Sequence, residues 1–200
     1  MQQRSGDKGF TLVELAIVLV IIGIIIGAVL RGQQMIESAK LKRLYNQQRE
    51  IIAAIYSHYD KYGKFPGDDN TALARWTGTT SGNNDGQIDI AVEFGCLEGA
   101  TNESCQAWRH MRNALLITGS AASAVNPTNA YGAAIGVGYT TVQTLAANWI
   151  GFKNVPYDAC QSIDLQYDDG GTTGYQTGSI RGTGNYSIAT SGNFDLYFRL

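Results

Sequence analysis

The 200-residue sequence is short of charge, proline and histidine: 16% Asp, Glu, Lys and Arg, three prolines and two histidines. Each shortage excludes something. His58 and His110 have no His or Cys at ligand spacing, so each is expected to be structural or exposed rather than a metal ligand. Cys96, Cys105 and Cys160 form no C-x-x-C pair, which removes the usual zinc spacings. No G-x-S-x-G elbow, phosphate loop or metalloprotease motif occurs, so the sequence points away from an enzyme. No proline precedes Pro66, and nothing upstream of it obliges a helix to break.

Charge is scarcest in residues 10–30, where Glu14 is the only acid or base. As a helix that run is roughly 30 Å long, enough to cross a bilayer. Residues 10–62 hold six Lys/Arg against four acids, whereas residues 63–200 hold seven against twelve. An acidic body lacks the clustered cations that nucleic-acid backbones demand, so no nucleic-acid partner is expected.

The helical pattern continues past Leu30. Met35, Ile36, Leu41, Leu44, Tyr45, Ile52, Ile55, Tyr56, Tyr59 and Tyr62 recur at spacings of three, four and seven, and Gly63 with Pro66 supplies a stop. One helix is predicted over residues 10–62, apolar all round over 10–30 and amphipathic over 31–62. The body follows over 63–200. Residues 77–89 are rich in Gly, Asn, Asp, Ser and Thr and read as a loop. Residues 102–119 read as a short helix, with Asn102 as N-cap, Gly119 as stop, and Trp108, Met111 and Leu115 on its buried face. Short β-like runs are predicted at 131–143, 163–167, 186–190 and 193–200. In the last, Phe194, Leu196, Phe198 and Leu200 share one face.

Glu14 poses the sharpest question. A carboxylate in a membrane span is costly unless it snorkels to the interface or meets a cation. Cleavage between Gly9 and Phe10 would create that cation, a new α-amino group, and a helix shifted past its neighbour would set one chain's Glu14 against another's Phe10. "KGFTLVEL" followed by an apolar run resembles the N-terminal signature of type IV pilins and type II secretion pseudopilins. The resemblance implies a leader over residues 1–9, cut after Gly9 by a prepilin peptidase, methylation of Phe10, and a role for Glu14 in registering subunits. It implies an α+β fold, a long N-terminal helix whose second half packs on a small antiparallel β-sheet body. It also implies an inner-membrane precursor with its body outside the cytoplasm, then a filament. Its partners would be other pilin subunits, the prepilin peptidase and the inner-membrane assembly machinery. A minor or tip pilin acting as a binding module is the alternative. "FPGDDNTA", "GNNDGQID" and "AWRHM" further resemble a pilin-like group with no assigned chemistry. Many major pilins carry proline where this chain has Arg31.

"SGNNDGQID" partly resembles a calcium loop, with Asn83, Asp85, Gln87 and Asp89 as candidate ligands and Asp68 or Asp69 available from the preceding loop. Val92 stands where a bidentate acid is expected and Glu93 is one residue late, so a solvated Asn/Asp/Gly turn is the plainer reading. For a body outside the cytoplasm, Cys96–Cys105 is the first candidate disulfide, contributing about 2–3 kcal/mol, with Cys105–Cys160 also open.

Overall fold

The structure, a computed structural model, describes residues 9–89, 91–189 and 191–200. Leader positions 1–8 lie outside the described residues, as does Thr190 of the 186–190 run.

Helix α1 spans Leu12–Tyr62 without interruption. The chain divides at Lys40 and Leu41, inside α1, into two compact units. In the first, every residue over 9–31 is exposed, and the helix holds a window of mean hydropathy 3.0, long and apolar enough to cross a membrane. In the second, Leu44, Gln48, Ile51, Ala54, Ile55 and His58 are buried at helical spacing. This stripe packs into the core that also contains Trp108, Met111, Ile135, Ile150, Phe152 and Leu196.

The remaining elements are α2 (Ala72–Arg75), α3 (Glu103–Asn113), β1 (Ile135–Val142), β2 (Leu145–Pro156), α4 (Tyr157–Tyr167), a 3-10 turn (Gly174–Gln176), β3 (Ile180–Gly182) and β4 (Asn193–Arg199). The four strands form one antiparallel sheet in the order β1-β2-β4-β3. Val137 pairs with Ile150, and Ile150 and Ile180 both pair with Phe198, so the middle of the sheet is apolar across its width. On β4, Leu196 and Phe198 are buried, while Phe194, and Leu200 just past the strand, pack partly buried against the core. The sheet is also crossed by residues 91–94. A Cβ on Gly138 would strike the Ala91 carbonyl, and one on Gly136 or Gly151 would strike Val92 and Phe94. Only glycine lets the crossing segment lie this close.

Three expectations are corrected. Residues 163–167 are not a strand but the end of α4, whose Ala159, Cys160, Ile163 and Asp164 are buried at helical rather than alternating spacing. Over 186–190, no named strand forms among the described residues. Helix α3 stops at Asn113, well before Gly119, and Leu115 is 89% exposed rather than buried. Its end is a Schellman turn. Leu116 N–H donates to the Met111 carbonyl at 2.9 Å and Leu115 N–H to Arg112 at 3.0 Å, with Leu115 itself in the left-handed region at φ 59°.

Candidate functional site

At the start of α1, Thr11 and Glu14 cap the helix reciprocally. Glu14 N–H donates to Thr11 Oγ1 at 3.2 Å, and Thr11 N–H donates to Glu14 Oε2 at 2.8 Å. The Thr11 hydroxyl donates to the same carboxylate oxygen at 2.9 Å. This is a capping box: two orphan N–H groups of the first turn are satisfied by one Thr and one Glu three residues apart. Glu14 therefore has a partner inside its own chain, one residue from Phe10. Thr11 went unread in the sequence, although T-x-x-E directly before an apolar run is the signature of this cap. Gly9 and Phe10 precede the helix, both exposed, and a Cβ on Gly9 would meet nothing within 4 Å.

The three body stretches singled out in the sequence converge on one node. Asp68, from "FPGDDNTA", is 2% exposed, and its two carboxylate oxygens accept the N–H groups of Asp85 and Gly86, each at 3.0 Å. Glu103 on α3 accepts Asn83 N–H at 2.8 Å and Asp89 N–H at 2.9 Å. His110, from "AWRHM", accepts Gly67 N–H on Nδ1 and bonds the Thr80 carbonyl through Nε2, both at 2.9 Å. These partners fix its neutral tautomer, with the proton on Nε2. Asp69 is buried, ion-paired with Arg75, and caps the Thr71 N–H at 2.9 Å. Burial raises the pKa of Asp68 and Glu103, with the Asp85 charge adding to it and the accepted N–H bonds opposing. Burial pushes His58 and His110 down to about 4.

The candidate calcium ligands lie in this turn. Asn83 Oδ1 accepts Asp85 N–H at 2.9 Å and Asp85 Oδ1 accepts Gln87 N–H at 2.8 Å, two successive Asx turns. Asp85 Oδ2 accepts the Asn83 amide at 3.1 Å, and Asn148 clamps the turn from β2 through Gly86 and Ile88. The oxygen donors suit a hard cation by type, but loop N–H groups already occupy the side-chain oxygens of Asn83 and Asp85. Asp68 and Glu103, which organise this turn from outside it, were not both foreseen: Asp68 was named and Glu103 was not.

Cys96 and Cys105 are joined, with Cα atoms 5.4 Å apart, tying the chain before α3 to its first turn. Cys160 is free and buried.

The described body is thus an α+β fold of pilin-like architecture, built on an apolar, capped N-terminal helix. The prokaryotic N-terminal methylation motif matches residues 4–30, the signature of type IV pilins and pseudopilins. It supports a pilin-like prepilin-peptidase substrate. No curated protein and no solved structure matches the chain.

Proposed function

We propose that the chain is a structural subunit of a bacterial type IV pilus or type II secretion pseudopilus. It is made as an inner-membrane precursor, cut between Gly9 and Phe10, methylated on Phe10, and drawn by the assembly machinery into a filament with other pilin subunits. The observation that carries this reading is the methylation motif over residues 4–30, together with the capped apolar helix that begins at Leu12 and is exposed on every side up to Arg31. Intact-mass analysis of membrane-extracted protein tests it. The expected species begins with methylated Phe10, and filament-borne protein that retains Met1 would refute the reading.

A second reading, a minor or tip pilin whose body binds a partner, is favoured by one feature of the body. A cavity of ≈ 1000 Å³ opens beside the second half of α1, lined by Gln47, Ile51, Ala54, Trp108, Arg112 and Leu116. Among the described residues, Trp108 Nε1 and Arg112 Nε are buried without hydrogen-bond partners. An adhesive subunit would lose partner binding, but not filament entry, on Arg112→Lys substitution.

A further inference from the structure

Arg112, in the last turn of α3, is a nearly buried cation, 8% exposed. Among the described residues the ion pairs use Lys40, Lys64 and Arg75, and none reaches Arg112. Its Nη1 donates to the Ser123 carbonyl and its Nη2 to the Val125 carbonyl, both at 2.7 Å, while Nε has no partner. A guanidinium carries five N–H groups, so two bonds leave most of its donors unanswered. The two carbonyls and the C-terminal end of α3 offset part of its charge. Burying the remainder without a carboxylate is costly.

Trp108 stands one turn earlier on the same face of α3. It is fully buried, and its Nε1 is likewise without a partner among the described residues. Both orphan groups are donors. An ionised carboxylate answers both, since it offers two acceptor oxygens and a full negative charge. Trp108 and Arg112 line the cavity beside α1 together with Ile51, Ala54, Leu116 and Ile135. Gln47 lines it too. Its Nε2 donates to the Thr128 carbonyl at 3.0 Å, which fixes the orientation of the amide and leaves Oε1 buried without a donor. Leu115, also on the lining, presents an apolar side chain to solvent from a left-handed backbone at φ 59°. In the free chain that residue carries strain and buries little.

The cavity thus asks for an anion with two acceptor oxygens, an apolar body and one N–H. The C-terminal residue of a peptide that ends in an apolar amino acid supplies all three. We propose that the cavity captures such a residue, its carboxylate on Arg112 and Trp108, its side chain against Ile51 and Leu115, and its amide N–H on Gln47. Such capture rests on the body being the binding module of the second reading.

The test uses the full chain in a maltoside detergent and N-acetyl-leucine as the probe, followed by NMR at the Trp108 indole N–H. A probe of this size is expected to bind at about millimolar strength and to shift that resonance saturably. N-acetyl-leucinamide, which lacks the charge, is expected to bind about tenfold more weakly or worse, and 4-methylpentanoate, which lacks the N–H, about threefold more weakly. Arg112→Gln should abolish the shift. Because Arg112 also holds the 123–125 segment, two variants at exposed positions accompany it. Leu115→Gly is expected to weaken binding about threefold or more while the melting temperature is kept or raised. Glu50→Gln, which removes an exposed acid from the cavity lining, should bind the probe as well as wild type or better. No saturable shift at about 20 mM N-acetyl-leucine would overturn the proposal, and the second reading would still stand or fall on partner binding by Arg112→Lys. Equal binding of the uncharged amide, or of 4-methylpentanoate, would overturn it as well. So would wild-type affinity in both Arg112→Gln and Leu115→Gly, or binding lost in Glu50→Gln, the mark of a cavity that takes a cation.

Discussion

The Glu14 carboxylate answers to two demands that a single substitution can separate. Within its own chain it caps the first turn of α1 through Thr11. In a filament it would pair with the Phe10 amine of a neighbour. Glutamine serves a capping box as well as glutamate, so Glu14→Gln keeps the cap and removes only the charge. The expected outcome is a processed, membrane-resident Glu14→Gln subunit whose first-turn amides exchange as in wild type, yet which is depleted from sheared filaments. Thr11→Ala should do the reverse, speeding exchange at the first turn while leaving the charge in place. Wild-type filament levels for both Glu14→Gln and Glu14→Ala would show that the acid merely snorkels. The two histidines make a second prediction at this scale. In the fold both are held at about 4, whereas an unfolded histidine takes its proton near pH 6.5. As pH falls below 6.5 the unfolded chain binds those protons first, so this contribution to stability fades and is gone below about 4. Asp164, pushed up to about 6 chiefly by burial, works in the opposite sense as the folded state takes its proton first. Denaturant melts in chelator between pH 7 and pH 5 should therefore show a shallower loss of stability in His58→Gln than in wild type.

Among the elements, helix α3 ends on a strained residue. Leu115 sits at φ 59° with 89% of its surface exposed, so it bears the left-handed penalty while burying little. Leu115→Gly is expected to stabilise the chain by about 0.5–1 kcal/mol, the strain relief being partly offset by the freer unfolded chain. Gly138→Ala should act in the opposite direction. The new methyl meets the Ala91 carbonyl, and a loss of about 1–3 kcal/mol is expected from overpacking. Thermal melts of the two variants check both signs. These elements also mark where the sequence is legible. The α1 stripe and strand β4 announce themselves through clean periods of 3.6 and 2, because each has one face in the core and one outside it. Strand β2 has no such period. Trp149, Ile150, Gly151 and Phe152 are buried in succession, since the sheet lies under α-helical packing on one side and the 91–94 crossing on the other. The stop of α3 was misplaced for a related reason. Its turn uses Leu115 where helix ends usually carry glycine, and the next glycine along the chain is Gly119.

At the scale of the molecule, the two units differ in what they ask of their surroundings. Residues 41–200 carry their own core and a disulfide between Cys96 and Cys105. Cys96→Ser with Cys105→Ser is expected to cost about 2–3 kcal/mol in denaturant melts while leaving processing at Gly9 unaffected, as mass analysis of the membrane fraction would report. The other unit turns every side chain over residues 9–31 outward. A surface like that partitions: it can leave lipid only for another apolar phase. Hydrocarbon tails are as apolar as leucine, so moving such a helix from bilayer to a bundle of its own kind changes its solvent without much change in solvation. Traffic between the two phases would then be nearly level in free energy, and directed by the few polar atoms the helix carries.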